Sequence, residues 1–230
     1  MGTENENRNV PYPIGTHSAT PAPEFATRGE YVDHLRSVLR LAESYSYERV
    51  HTHQVTRLAM KLFDELKDLH KFGREERFHL HCAALLHDIG RAIQNKGHHK
   101  IAQKIVMDTP VLPFDKTTRR IIGSIARYHT KADPSKKHGH FERLTDEQQH
   151  KVVLLASILR LADALDRTHR TLVRQLWCEI TNRRIIVWCV LRGESKHHRT
   201  IYARAEKKGR LLEKAFKRSL VIECVPLDNL

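Results

Sequence analysis

The residues with the most chemistry to offer are His51, the pair His87-Asp88, His98 or its neighbour His99, His129 and Asp163. Histidine binds transition metals through a neutral ring nitrogen, and a carboxylate can bridge two cations or offset their charge. Two cations roughly 3.5–4 Å apart can share a water, lower its pKa and clamp both oxygens of a phosphoryl displacement. Each residue falls on or beside a different helical segment, and metal sites in helical bundles are assembled in this way, from inward-pointing side chains on facing helices. Taken singly, each has an ordinary explanation. His51 could be a core histidine bonded to a carboxylate, one His-Asp pair among 17 histidines is close to noise, and Asp163 could pair with Arg160 or Arg167.

Spacing adds weight. Val55, Leu58 and Ala59 follow His51 at i+4, i+7 and i+8, which puts the histidine on a core-facing stripe. His87-Asp88 closes the apolar run Ala83-Ala-Leu-Leu, and Asp163 lies within Ile158-Leu-Arg-Leu-Ala-Asp-Ala-Leu, a segment apolar enough to be buried. A buried unpaired carboxylate is costly, so Asp163 requires a metal, an arginine or another cation. Three polar groups on three buried stripes suggest a shared centre.

The elements that must position them are mostly helical. Val32, Leu35, Val38, Leu39 and Ala42 recur at helical spacing, as do Val55, Leu58, Ala59, Leu62, Phe63 and Leu66. A third helix is expected from about Arg74 to His87-Asp88, with Gly90 as its stop. Shorter helices fit 99–108 and 116–128, split by Thr-Pro-Val-Leu-Pro at 109–113. Residues 130–144 read as a basic loop, and a strong apolar helix spans about 146–167. Beyond Leu172 the texture becomes β-branched and aromatic, so a hairpin turning at Asn182-Arg183 is expected, with Cys178 opposite Val187 and Trp177 and Trp188 packed against the helices. A helix at 203–217 and a strand at 219–225 complete a small α+β appendage, whereas residues 1–28, with four prolines among small polar residues, read as a disordered tail.

The chain has 230 residues and a formal net charge of +13, and no apolar run approaches the ~20 residues of a membrane span. The start carries no apolar signal region, which predicts a soluble, cytoplasmic protein. Its four cysteines form no Cys-x-x-Cys pair, so neither a zinc ribbon nor a disulfide framework is indicated. A nucleophile-elbow serine motif, a P-loop and a dinucleotide-binding glycine loop are absent as well. Positive charge gathers at Lys131, Lys136 and Lys137, at Lys196 and Arg199, and along Arg204, Lys207, Lys208, Arg210, Lys214, Lys217 and Arg218. Such density attracts polyanions or simply makes a solvated face. Aromatic residues are not interleaved with it, which argues against a base-stacking platform and leaves nonspecific nucleic-acid binding open.

The order His51…His87-Asp88…Asp163 resembles the HD-domain metal-dependent phosphohydrolase superfamily. More narrowly, the segments His51-Thr-His-Gln-Val-Thr-Arg-Leu, Ala84-Leu-Leu-His-Asp-Ile-Gly-Arg, Gly97-His-His-Lys, Arg127-Tyr-His-Thr-Lys and Leu159-Arg-Leu-Ala-Asp-Ala-Leu-Asp-Arg-Thr-His resemble the C-terminal HD-like region of the exopolyphosphatase/guanosine pentaphosphate phosphohydrolase family, over roughly 30–225. This resemblance implies an HD-domain-like helical bundle over 29–172 with the α+β appendage at 173–230. It implies metal ligands at His51, His87, Asp88 and Asp163. The two-metal variant adds His129 and a histidine of the Gly-His-His segment; His98 is preferred to His99 because small Ala102 sits four residues on. Full-length members carry an actin-like phosphatase portion ahead of this region, which has no counterpart in the sequence, so the activity belonging to that portion is not expected here.

The expected function is hydrolysis of a nucleotide or phosphate ester by a metal-bound hydroxide, with Asp88 orienting the water and Arg91 and Lys131 holding phosphate oxygens. The cofactor is one or two divalent ions, with Mn, Fe, Ni, Co, Zn and Mg all open. The alternative is a noncatalytic module that binds polyphosphate or a guanosine alarmone, and a homodimer is compatible with either.

Overall fold

The structure, a computed structural model, describes residues 28–192 and 195–226. The disordered tail expected at 1–28 therefore lies outside the described residues, apart from Arg28, which opens the first helix. The chain is mostly helical, with a small three-stranded sheet at its C-terminal end. In order it forms α1 (Arg28–Ser44), α2 (Arg49–Glu65), α3 (Lys67–His70), α4 (Arg74–Leu86), a 3-10 turn (Ile89–Ala92), α5 (His98–Asp108), α6 (Lys116–Arg127), α7 (Gly139–Glu142), α8 (Asp146–Leu165), β1 (Val173–Ile180), β2 (Arg184–Leu191), α9 (Ser195–Phe216) and β3 (Ser219–Pro226). No described helix is long and apolar enough to cross a membrane.

The centre of the bundle is α8. Thr145 caps it, accepting from the Gln148 N–H while the Gln148 side chain accepts from the Thr145 N–H, so two otherwise orphaned donors are satisfied. Its residues from Leu154 to Ala162 are all buried, as a helix apolar on every side must be when neighbours surround it. Helices α2, α4 and α6 pack around it, α5 lies on α6, and α9 covers α8 from the other side. Asp115 starts α6 by accepting from the N–H groups of Thr117 and Thr118.

Helix α4 ends at Leu86, and Gly90 acts otherwise than as its stop. Gly90 sits inside the 3-10 turn, and a Cβ there would stand 2.1 Å from the His98 carbonyl oxygen and 2.8 Å from the Ala102 nitrogen. Only a glycine lets this turn lie directly against the first turn of α5, which fixes His98 relative to His87 and Asp88.

The sheet order is β1-β2-β3. The hairpin pairs Cys178 with Val187 as expected, and β3 joins β2 in parallel after the α9 crossover. One sheet face, with Leu176, Ile185, Val187, Cys189 and Ile222, merges with the helical core and with Ile201, Ala205, Leu212 and Phe216 of α9. Trp177 and Trp188, expected against the helices, lie on the other face from the one that joins the helical core. They are cross-strand partners, stacked on each other with ring centres 5.9 Å apart, because the period of two sends neighbours of Leu176 and Val187 away from the core. At Gly209 α9 packs closely on β3, and a Cβ would meet the Leu220 Cδ2 at 2.2 Å, so a larger residue requires the Leu220 side chain to turn aside.

Candidate metal centre

Helix α2 supplies His51, the end of α4 supplies His87 and Asp88, the start of α5 supplies His98, the residue pair beyond α6 supplies His129, and α8 supplies Asp163. These six form three overlapping groups whose ligand atoms lie within 4.8 Å of one another: His51, His87 and Asp88; His87, His129 and Asp163; Asp88, His98 and His129. Such groups can bind a metal ion. Asp88 is the hub. Its Oδ2 lies 3.9 Å from His51 Nε2 and 3.7 Å from His87 Nε2, and its Oδ1 lies 3.1 Å from His98 Nε2 and 3.5 Å from His129 Nε2. Asp163 Oδ1 stands 3.6 Å from His51 Nε2. Asp163 keeps 18% of its side chain exposed and lies at the edge of an otherwise buried cluster.

The four histidines share one construction. Each Nδ1–H is used behind the ring: His51 donates to Asp166 at 2.9 Å, His87 to the Ala84 carbonyl at 2.8 Å, His98 to the Asn95 carbonyl at 2.9 Å and His129 to the Ala126 carbonyl at 2.6 Å. Three of these acceptors lie three residues earlier in the same chain segment, so the backbone itself sets the tautomer. All four Nε2 atoms then point at the carboxylates. His51 Nε2, His87 Nε2 and Asp88 Oδ1 are buried with no hydrogen-bond partner, an arrangement costing roughly 1–3 kcal/mol per atom if nothing else occupies the space between them. His98 Nε2 and His129 Nε2 face each other at 3.3 Å; with both Nδ1 atoms protonated, two lone pairs confront each other unless a proton or cation separates them. The donor set and these orphaned atoms fit a divalent cation.

The electrostatics agree. Burial drives His87 down to about 4 despite the Asp88 carboxylate, leaving a neutral ring with a free lone pair. Burial acts against ionisation of Asp88 and Asp163, yet the surrounding imidazoles hold both well below the usual carboxylate range, with Lys208 adding to the effect on Asp163. His51 is the opposite case. Burial would lower it, but Asp163 on one side and Asp166 on the other push it up to about 9.

The structure separates His98 from His99. His98 reaches Asp88 and His129, whereas His99 is drawn down to about 4 by burial and by His129, His98, Arg127 and Lys100, with no carboxylate beside it. Arg91 donates from Nε to Asp88 Oδ2 at 2.5 Å, at the rim of the cluster. Lys131 is exposed two residues beyond His129, and no hydrogen bond or ion pair among the described residues joins it to the cluster. Arg160, the simple partner open to Asp163 from sequence, is engaged elsewhere: it binds the carbonyls of Tyr128 and Ala132 and the carboxylate of Asp133, clamping the loop that follows His129.

Three contributors went unassigned in the sequence. Asp166 accepts from His51 with Oδ2 and from the Thr171 N–H with Oδ1, and His169 stacks flat on His51 with ring centres 3.8 Å apart while pairing with Glu48. His169 and Thr171 hold left-handed backbone angles, φ 55 and 51, conformations that cost roughly 1–3 kcal/mol each. That strained turn after α8 places both partners of His51. Lys208, counted among the basic residues of the tail helix, is buried; its Nζ donates to the His129 carbonyl at 3.2 Å and stands 4.0 Å from Asp163 Oδ2. Burial draws it down to about 8 against the pull of Asp163. Its place on the α9 stripe Ile201, Ala205, Lys208, Leu212, Phe216 was a readable sign.

A family model described as Ppx/GppA phosphatase, domain III matches residues 34–191. The match spans more than half of the chain and takes in all six residues of the cluster, and the chain belongs to this family. No curated protein matches the chain significantly.

Proposed function

We propose that this domain is an HD-type, metal-dependent phosphohydrolase acting on a phosphorylated anion such as a nucleotide or phosphate ester. His51, His87, Asp88 and Asp163 hold a first divalent ion and Asp88, His98 and His129 a second, with Asp88 shared. The observation that carries this reading is the convergence of buried Nε2 and carboxylate atoms, three of them without a hydrogen-bond partner, within 4.8 Å of one another in overlapping groups. A divalent ion there supplies Lewis acidity toward water and toward a phosphoryl oxygen. The remaining roles fall to the protein: Asp88 orients the attacking water, Asp166 and the backbone carbonyls fix the imidazoles, and Arg91 at the rim presents guanidinium N–H groups to phosphate oxygens, with Lys131 nearby in the chain.

A noncatalytic module for polyphosphate or a guanosine alarmone is the second reading, favoured by one observation: Lys207, Arg210 and Lys214 on α9 and Lys217 just beyond it are all exposed. Phosphate release from a panel of nucleotides and aryl phosphates, with Mn2+, Co2+ or Zn2+ and with chelator, separates the two. The hydrolase reading expects metal-dependent release abolished by Asp88→Ala. Metal-independent polyanion binding without turnover supports the module instead.

A further inference from the structure

We propose that Lys208, delivered by the C-terminal helix α9, is a phosphate-binding residue of this site; the proposal rests on the hydrolase reading for what the site does. An ammonium group carries three N–H donors and no acceptor. Lys208 keeps only 8% of its side chain exposed, and among the described residues it makes one hydrogen bond, to the His129 carbonyl at 3.2 Å. Asp163 Oδ2, at 4.0 Å, lies beyond hydrogen-bond reach, while Arg160 is committed to the loop that follows His129. A buried ammonium with a single acceptor is under-satisfied, and a helix stripe that is otherwise apolar has no packing reason to carry one.

The neighbours tell what the missing acceptor is. Nζ stands on the Oδ2 side of Asp163, the more exposed of the two cluster carboxylates at 18% against 5% for Asp88, so it lies at the less enclosed edge of the cluster. A phosphoryl oxygen arriving there accepts from Lys208 while its neighbouring oxygens face the histidine cluster. A carboxylate or an uncharged ligand satisfies the lysine less completely than a tetrahedral dianion, whose oxygens can reach several donors at once. Lys208 lies beyond residue 191, where the family match ends, so α9 is part of the binding machinery and not only a cover for α8.

The test is the affinity of the full chain for inorganic phosphate, titrated calorimetrically on metal-loaded and on metal-free protein, for wild type, Lys208→Met and Lys208→Arg. One charge-assisted hydrogen bond corresponds to about a tenfold or larger change in Kd, which is the loss expected for Lys208→Met with metal content unchanged. Lys208→Arg, which keeps charge and donors, recovers most of that affinity, and an unaltered melting curve excludes simple unfolding. If Lys208→Met binds phosphate within about twofold of wild type, or loses its metal, the proposal is overturned. Failure of wild type to take up metal defeats the hydrolase reading alone, because the metal-free titration still reads the lysine. Absence of phosphate binding by wild type in both states overturns the lysine proposal.

Discussion

Helices α4 and α8 meet in two polar clusters, one toward their N-terminal ends and one toward their C-terminal ends. In the first, Lys151 of α8 lies 3.1 Å from Glu75 and 2.7 Å from Glu76 of α4, and Glu76 also accepts from the Gly73 N–H at 3.0 Å. Every charge there has a partner of opposite sign. In the second, His87 and Asp163 join His51, Asp88, His98 and His129, and the atoms that face one another include three with no hydrogen-bond partner. The ionised groups of the first cluster satisfy one another within the protein, although His79 Nδ1, 3.8 Å from Glu75, is buried without a hydrogen-bond partner. In the second, no hydrogen bond among the described residues pairs those three atoms, and that difference sets the two clusters apart more firmly than histidine content does.

The contrast can be broken from either side. The largest effect is expected at the hub: Asp88→Ala removes the shared carboxylate and lowers metal affinity by at least roughly a thousandfold, or about 4 kcal/mol, measured by competition with a chromophoric chelator. Lys151→Met leaves two partly buried carboxylates unpaired and costs about 2–3 kcal/mol of stability at pH 7 in urea melts, with metal content unchanged. Glu76 is held below its usual pKa, since Lys151 and the Gly73 N–H outweigh burial, so its contribution is present above the unfolded value of about 4.3 and is lost as pH falls through the lowered folded value. The cost of Lys151→Met therefore shrinks below about pH 4. Asp166→Asn weakens the support of His51 and is expected to reduce metal affinity by about 10–100-fold, with little change in fold stability. The smallest effect belongs to His99→Ala, which changes metal affinity by less than about twofold; a loss as large as that of His98→Ala reverses the assignment of the two histidines.

Much of this centre was legible in the chain because its members interrupt apolar stripes. His51 stands ahead of Val55, Leu58 and Ala59, and Asp163 sits within a buried helix, so periodicity turns them toward the core, whereas their reading as metal ligands is what the family resemblance implies. The sequence favours His98 over His99 through small Ala102 four residues on, and Ala102 is buried beside Gly90. Lys208 interrupts a stripe in the same way, but it lies in a segment so basic that its burial was masked by Lys207, Arg210 and Lys214. Asp166 and His169 were not readable because their roles depend on left-handed turns at His169 and Thr171, residue types that carry no signal for that conformation. Gly90 was recognised as punctuation, yet its purpose is a tertiary approach to α5 that no local rule contains. Helices α3 and α7, four residues each, are too short to show a period, and the outward Trp177–Trp188 stack follows only once hairpin register and sheet burial are known together.

On the proposed function, a divalent metal completes the Asp88 cluster. Elemental analysis of purified protein, wild type against a His87→Ala/Asp88→Ala variant, tests it directly. The account predicts one to two equivalents of a divalent transition metal in wild type, as purified or after reconstitution with Mn2+ or Fe2+, and none in the variant. A wild-type protein that stays metal-free after reconstitution, or a variant that retains the metal, contradicts it.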